Sequence, residues 1–216
     1  MIEELYTWVR RKCSAPDEQD EPSSGYWQHT IRDAAFTLCV PDKGTILEIG
    51  CGEGLFLQKF VRGSGGAGLC GIDISPEQLL KAKKRSAGRA GLFRADACSL
   101  PFTDSVFDSI VCINVFMNMP LDDMLLKSLQ EIRRVCKKGG RIIFDIRNGL
   151  NPFVRMKYGL VKYYDSTMDS TALRMHTFSS IKAKLNALDL TIDGKTPLGF
   201  PGGMFAPIIM VEAVKN

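Results

Sequence analysis

Residues 45–54 read TILEIGCGEG, and this stretch decides the fold. Its first half, 45–49, is a short run of apolar and β-branched residues, which predicts a buried β-strand. Glycines follow at 50, 52 and 54, and then apolar residues at 55, 56, 60 and 61 have the spacing of one helix face. The stretch therefore predicts a strand that turns tightly into a helix. Such a turn lets the backbone approach an anionic ligand closely, although a tight turn without a ligand is the simpler alternative.

Strands and helices continue to alternate after this turn. Further strands are predicted at 69–74, 92–95, 106–115, 141–146, 189–193 and 207–214. Helices are predicted at about 121–137 and 178–188, and another starts at Pro76 with Ser75 as its N-cap. This alternation predicts βαβ units, and hence an α/β fold with a mainly parallel sheet covered by helices on both faces. Ligands of such sheets bind at the carboxyl ends of the strands.

Composition and charge narrow the class of protein. The chain has 216 residues, of which 45% are hydrophobic and 24% charged, as expected for one soluble globular domain. Its net charge of +4 is too small to require a nucleic acid or a membrane surface as partner. The seven cysteines include no CxxC pair, so we expect reduced thiols and no metal site. With no signal peptide and no membrane span in the sequence, a cytoplasmic location is the expectation.

The ends of the chain differ in character from its centre. Residues 2–12 predict a short helix, and the acidic, turn-rich stretch 14–25 reads as a connector. We therefore predict an N-terminal helical cap and linker at 1–44 and a main domain at 45–216. Within the main domain, 149–176 is a candidate insertion where basic and aromatic residues interleave. It is either a cap over a flat or anionic ligand or an amphipathic surface helix.

Polar residues follow the second, third and fourth predicted strands. Asp73 has two acceptor oxygens, which suit the two hydroxyls of a ribose. Asp96, with Ala97 beside it, comes one βα unit later and can accept a hydrogen bond from an adenine amino group. Asn114 ends the fourth strand and borders the same expected crevice. Each alone is an ordinary loop residue, but together with the glycine turn they indicate one adenosine-containing ligand.

The glycine spacing argues against a dinucleotide. The dinucleotide fingerprint GxGxxG needs a glycine at position 55, where this chain has leucine, and the pattern is instead ExGxGxG. With these features the chain resembles the class I S-adenosylmethionine-dependent methyltransferases, especially the type 11 branch. The strings that carry the resemblance are LEIGCGEG at 47–54, GIDISPEQLLKAKKR at 71–85, RADACSLPFTDSVFDSIV at 94–111 and EIRRVCKKGGRIIF at 131–144. The resemblance covers about residues 45–146.

The resemblance implies a Rossmann-like three-layer sandwich around a seven-stranded sheet whose last strand is antiparallel. It also implies one S-adenosylmethionine per chain. Matched position by position, the methionine moiety would lie against Glu48, Gly50 and Gly52. The ribose hydroxyls would lie against Asp73, the adenine against Asp96 and Ala97, and the sulfonium near Asn114. The implied cofactor-binding residues are Glu48, Gly50, Cys51, Gly52, Asp73, Ile74, Asp96, Ala97 and Asn114.

The implied activity is methyl transfer to a small-molecule acceptor by in-line displacement, but no catalytic residue can be assigned. Many relatives carry histidine just after the fourth strand, whereas this chain reads FMNMP at 116–120. The two histidines, His29 and His176, are candidate bases that are more simply explained as surface or packing residues. Cys51 has no histidine partner in the sequence, so we interpret it as a small residue of the turn and not as a nucleophile.

Three other functions remain open. The chain could bind the cofactor without catalysis, it could methylate RNA or protein, or, against the glycine spacing, it could be a nicotinamide oxidoreductase. Basic clusters at 81–85 and 133–138 would support a nucleic-acid acceptor only if they formed one surface with the pocket. The sequence makes no prediction of the oligomeric state.

Overall fold

The structure is a computed structural model, and it describes residues 26–39, 44–62, 68–160, 163 and 173–216. The predicted helix at 2–12, the connector at 14–25 and part of the insertion at 149–176 lie outside the described residues. The helices are α1 (Tyr26–Leu38), α2 (Leu55–Arg62), α3 (Pro76–Arg85), α4 (Asp122–Val135), α5 (Pro152–Gly159) and α6 (Phe178–Ala187). The strands are β1 (Thr45–Ile49), β2 (Gly68–Asp73), β3 (Ala90–Arg94), β4 (Phe107–Cys112), β5 (Cys136–Arg147), β6 (Leu190–Leu198) and β7 (Ile208–Lys215).

The seven strands form one sheet in the order β3-β2-β1-β4-β5-β7-β6. β1 pairs in parallel with both β2 and β4, and β4 pairs in parallel with β5. β7 runs antiparallel to both of its neighbours, β5 and β6. The expected mainly parallel sheet with an antiparallel last strand is therefore confirmed. Chain order reverses between β1 and β4, which makes the carboxyl ends of these strands the expected ligand site.

Helices cover both faces of the sheet and give it two cores. One core joins sheet residues such as Ile110 and Phe144 to the stripe Leu125, Leu129 and Ile132 of α4. The other core joins Ile46, Val111 and Ile143 to α1 and α2, through residues that include Ile31, Ala35, Phe56 and Leu57. The result is a three-layer sandwich.

Several element boundaries differ from the sequence prediction. α4 ends at Val135, and the predicted helix end at 136–137 is the start of β5. Cys136 pairs with Phe107, and the ladder then resumes between Arg141 and Ser109 after an irregularity in register. The predicted helix extends too far because no loop separates α4 from β5.

Local sequence signals predicted one helix start and missed another. The predicted N-cap of α3 is confirmed, since Ser75 Oγ accepts a hydrogen bond of 3.3 Å from the Gln78 amide. By contrast, α1 was not predicted, although Ile31 and Ala35 are fully buried four residues apart on one face. None of the described helices is long and apolar enough to cross a membrane.

Candidate cofactor-binding site

The glycine turn after β1 passes directly beside the end of β4. Gly50 has φ +69°, in the left-handed region, and a Cβ there would overlap the Cγ2 methyl of Val115. The Cys51 amide donates a 2.9 Å hydrogen bond to the Ile72 carbonyl, which ties the turn to the end of β2. Glycine is therefore required at position 50 for both conformation and space.

The carboxylate of Asp73 links this turn to the one that follows β2. Its Oδ2 accepts a hydrogen bond of 2.9 Å from the Gly52 amide. Its Oδ1 accepts one of 2.9 Å from the Ser75 amide. A carboxylate has about four lone-pair sites, so both oxygens can still accept a hydroxyl from a ligand.

The third strand end presents Asp96 and Ala97. Asp96 Oδ1 accepts a 2.8 Å hydrogen bond from the Cys98 amide, and the Ser99 amide donates to the Asp96 carbonyl at 3.0 Å. Ala97 is buried in the core on the α4 side. These bonds hold the loop in a compact turn with the Asp96 side chain fixed at its start.

Asn114, just beyond β4, is held by a buried ion pair on β5. The Asn114 amide donates a 2.6 Å hydrogen bond to Asp145 Oδ1, and Arg147 donates to both Asp145 Oδ2 and Asn114 Oδ1. Asp145 and Arg147 are only 2% and 7% exposed. Asn114 has φ +59°, a conformation that asparagine tolerates better than most residues. Sequence reasoning missed Asp145 and Arg147, although their spacing of two in a strand places them on one face of the sheet.

All nine residues assigned from the sequence line one cleft of about 430 Å³. The structure thus brings Glu48, the glycine turn, Asp73, Ile74, Asp96, Ala97 and Asn114 together, while their roles in binding remain predictions. The cleft also contains residues that sequence reasoning did not select. These are Arg32, Ile49, Leu55, Phe56, Ile72, Ala95, Ile113, Val115, Asn118, Met119 and Met124.

Glu48 is the most unusual ionisable group in the cleft. It is 4% exposed, and its Oε2 has no hydrogen-bond partner in the described part of the chain. Burial raises the pKa of Glu48 well above its usual range, the positive charge of Arg32 opposes this rise, and the nearby Asp73 and Glu53 add to it. A buried acceptor without a partner costs free energy, so a cationic donor in the cleft would stabilise Glu48. Arg32 comes from α1, which is why the sequence pattern around the strand ends gave no sign of it.

The histidines and Cys51 do not supply an evident base or nucleophile. His29 Nε2 lies 3.0 Å from Asp33 Oδ2, and His176 Nε2 lies 3.5 Å from the Phe116 carbonyl. Burial lowers the pKa of His176, and neither histidine is among the residues that line the cleft. Burial raises the pKa of the Cys51 thiol, so the thiol is protonated and a poor nucleophile at neutral pH. Among the described residues, no group of three or more potential ligands could hold a metal ion.

Fold and site together define an α/β protein with a cleft at the carboxyl ends of its parallel strands, at the switch point of the sheet. A family model described as "Methyltransferase domain" matches residues 47–144. A phosphatidylethanolamine N-methyltransferase of Cereibacter sphaeroides is 30% identical over 169 residues, which are 75% of this chain and 77% of that protein. The chain therefore belongs to the class I S-adenosylmethionine-dependent methyltransferase family.

Two further comparisons show how far the similarity reaches. An uncharacterized methyltransferase of Mycobacterium tuberculosis is 32% identical over 120 residues, which are 55% of this chain and only 45% of that protein. The chain thus spans less than half the length of this relative. The magnesium protoporphyrin IX methyltransferase of Synechocystis, solved with bound S-adenosylhomocysteine, has the same fold with a TM-score of 0.69. It is 14% identical, and the similarity covers 99% of this chain and 94% of that one.

Proposed function

We propose that this chain is an S-adenosylmethionine-dependent methyltransferase that acts on a small-molecule acceptor. The observation that carries the proposal is the convergence of four loops, after β1, β2, β3 and β4, on one cleft of about 430 Å³. Clefts of this size are usual for cofactors and small substrates. Family membership supports the choice of cofactor.

The residues in the cleft fit the cofactor in type and order. The buried Oε2 of Glu48 has no partner in the described part of the chain and suits the methionine ammonium group. Asp73, with lone pairs left on both oxygens, suits the ribose hydroxyls. Asp96 and Ala97 border the position expected for adenine, and Asn114 borders the position expected for the sulfonium. Gly50, Cys51, Gly52 and Ile74 complete the proposed contacts along the turn and the ribose.

When bound, S-adenosylmethionine supplies a methyl group on a sulfonium, which is a good leaving group. The protein's main contribution would then be to position the acceptor in line with the carbon–sulfur bond and to exclude water. Proximity and orientation can contribute about 7–11 kcal/mol to such a reaction. The apolar residues Ile113, Val115 and Met119 beside Asn114 are suited to exclude water there.

Charge distribution favours a small acceptor over a nucleic acid. In the basic cluster at 133–138, Arg134 pairs with Glu131 and Asp104, and Lys137 pairs with Asp108. These residues lie at the end of α4 and the start of β5, at the amino ends of the parallel strands, whereas the cleft lies at their carboxyl ends. They therefore do not form a basic surface continuous with the cleft, as a nucleic-acid acceptor would require. The relative named for phosphatidylethanolamine and the solved structure named for magnesium protoporphyrin IX also support a small acceptor, because neither name refers to a nucleic acid or a protein.

The experiment that tests the proposal is calorimetric titration with S-adenosylhomocysteine. We expect the wild-type chain to bind it, and Asp73→Ala to lose about 1–3 kcal/mol of binding free energy, because the ribose hydroxyls lose a charged acceptor. This corresponds to a rise in Kd of roughly 5- to 150-fold. The control is Asp193→Ala, which removes an exposed carboxylate from the edge strand β6. No binding by the wild type would overturn the function, and an equal effect of both variants would overturn the ribose assignment.

A further inference from the structure

Exposed apolar side chains are concentrated in two short segments, which together we call the apolar patch. Eight of the twelve large apolar side chains that are exposed in the described part of the chain lie within 150–163 and 200–205, with exposed fractions of 46% to 87%. Single exposed apolar residues are normal on a protein surface, but such a concentration indicates an interaction surface. The eight residues are Leu150, Phe153, Met156, Leu160, Tyr163, Phe200, Met204 and Phe205.

Helix α5 contributes an outward-facing stripe to the apolar patch. Phe153, Met156 and Leu160 follow each other at steps of three and four residues, so they share one side of the helix. Val154 lies on another side and is buried. The helix begins with a formed cap, since Asn151 Oδ1 accepts a 2.7 Å hydrogen bond from the Val154 amide. The stripe is therefore presented to the outside by a helix that is anchored on the protein.

Two fully buried asparagines attach the second segment to the start of α5. Asn148 Nδ2 donates hydrogen bonds of 2.8 Å to the carbonyls of Met204 and Ala206. Asn151 Nδ2 donates one of 2.6 Å to the Phe205 carbonyl. These bonds fix the backbone of the loop against the helix while the side chains of Met204 and Phe205 stay exposed. The two segments therefore form one surface that is held in place from below.

The apolar patch adjoins the cleft through the segment after β4. The Tyr158 hydroxyl of α5 lies 3.8 Å from Met117 Sδ, and the Arg174 amide donates a 2.7 Å hydrogen bond to the Met117 carbonyl. The next two residues, Asn118 and Met119, line the cleft. Whatever binds the patch would therefore lie close to the β4 side of the cleft.

The charges within the apolar patch are positive. Arg155 and Lys157 are exposed on α5 and alternate in sequence with the residues of the stripe. The stretches 150–160 and 199–206 contain no aspartate or glutamate. A surface that combines Phe, Leu and Met side chains with Arg and Lys is complementary to a bilayer of anionic phospholipids. The apolar side chains can enter the boundary of the acyl chains while the cations remain among the phosphate groups.

The degree of exposure favours a lipid surface over a protein partner. Side chains that line a preformed groove for another protein are partly covered by the walls of that groove. The side chains of the apolar patch are instead exposed by about half or more, so they project from the surface. Projecting side chains suit a fluid bilayer, which needs no matching shape, whereas a specific protein interface requires shape complementarity.

We infer that the apolar patch binds the protein to the surface of an anionic phospholipid bilayer. The stripe of α5 and the side chains of the 200–205 loop enter the boundary between headgroups and acyl chains, and Arg155 and Lys157 contact the phosphate groups. The inference does not depend on the proposed function, because binding to a bilayer requires neither the cofactor nor methyl transfer. Calorimetry with S-adenosylhomocysteine tests that function separately.

Co-flotation of the full chain with phospholipid vesicles tests the inference. Vesicles of phosphatidylcholine alone are compared with vesicles that also contain phosphatidylglycerol. We expect the chain to bind the anionic vesicles about tenfold or more tightly than the neutral ones, because each cation near the surface contributes a factor of about five. High salt should weaken binding to the anionic vesicles, because it screens these charges.

The variants Phe153→Ser and Leu80→Ser form a matched pair for this assay. Each replaces one exposed apolar side chain of a helix that also carries exposed basic residues, on α5 and on α3 respectively. Because Phe153 belongs to the apolar patch and Leu80 does not, we expect Phe153→Ser to raise the Kd for anionic vesicles about tenfold, the loss expected for one buried aromatic side chain. Leu80→Ser should leave the Kd within about twofold of the wild type.

Several outcomes would overturn the inference. They are no binding to anionic vesicles, equal binding to anionic and neutral vesicles, and equal effects of Phe153→Ser and Leu80→Ser. Two others would assign the apolar patch to a different occupant. A dimer in sedimentation that Phe153→Ser abolishes, in place of vesicle binding, would assign it to a second copy of the chain. A lower urea midpoint of Phe153→Ser without any vesicle binding by the wild type would assign it to the chain's own residues in 1–25 or 161–172.

Discussion

Replacing Gly50 by alanine should damage the protein far more than the same replacement at Gly52, two residues later in the same turn. Both glycines have positive φ, +69° and +50°, so alanine at either position costs about 1–2 kcal/mol of backbone strain. Only at Gly50 does the added Cβ meet another atom, the Cγ2 of Val115, whereas nothing lies within 4 Å of a Cβ at Gly52. Valine is stiff at χ1 and cannot turn away easily, so the overlap adds about 1–3 kcal/mol. We therefore expect a loss of about 2–5 kcal/mol in the free energy of unfolding for Gly50→Ala and about 1–2 for Gly52→Ala.

A double-mutant cycle with Val115→Ala separates the overlap from the backbone strain. In Gly50→Ala/Val115→Ala the overlapping methyl is absent, so the double variant should recover at least about 1 kcal/mol relative to additivity. Urea denaturation measures the stabilities, and titration with S-adenosylhomocysteine measures the cleft, which both residues line. Equal losses at Gly50 and Gly52, or strict additivity with Val115→Ala, would refute the steric explanation of the glycine at position 50.

Two further predictions concern ionisable groups outside the transfer step. Hydrogen bonds from Lys137 and Thr45 lower the pKa of Asp108 from 3.8 to about 2. For a fully buried group this would be worth about 2 kcal/mol, but the side chain is 41% exposed, so we expect Asp108→Asn to cost about 1 kcal/mol at pH 7. Because the pKa of Asp108 is lowered on folding, this contribution is complete above about pH 4 and is lost as the pH falls toward 2. Urea denaturation measures the free energy of unfolding of the wild type and the variant between pH 5 and 2.5. A difference between the two that stayed constant over this range would contradict the prediction. At Cys51, burial and the raised pKa predict slow alkylation by iodoacetamide at pH 7.5 in the native state. Peptide mass spectrometry measures the extent of labelling. Labelling as fast as in denaturant would contradict the prediction, because it would show that the thiol is accessible and ionised.

The fold was largely predictable because its signals are local. Alternating apolar strands and amphipathic helices predicted the parallel sheet, and Ser75 marked the start of α3. The missed or misplaced boundaries are those where tertiary contacts override the local pattern. α1 is defined by the burial of Ile31 and Ala35 against the sheet, and the end of α4 by the pairing of Cys136 with Phe107. The pairing of Cys136 with Phe107 leaves no signature in nearby sequence, and the helical spacing of Ile31 and Ala35 is too short a signal to predict α1 by itself.

The site was predictable for a related reason, which also explains why some of its residues were missed. In a parallel sheet the carboxyl ends of the strands lie at one edge, so residues that follow the strands must converge even though the chain separates them. This rule located Asp73, Asp96 and Asn114 in one cleft, whereas Glu48, which lies within β1, was assigned from the family resemblance. It could not locate Arg32, since no rule of sheet topology says which residue of a covering helix reaches the edge.

The pair Asp145 and Arg147 shows what sequence reasoning of this kind misses most. Both lie within β5, where the continuous apolar pattern predicts a buried strand, and a charged residue in such a strand is costly unless it is paired. Among the described residues, the two side chains bond to each other and to Asn114, which accepts one hydrogen bond from Arg147 and donates one to Asp145. Charged residues two apart at the buried end of a parallel strand are therefore a signal in themselves, because their burial requires a polar partner on the adjacent strand end. In this chain, Asp145 and Arg147 thus indicate a polar partner at the end of β4, and that partner is Asn114, the residue beside the proposed reaction centre.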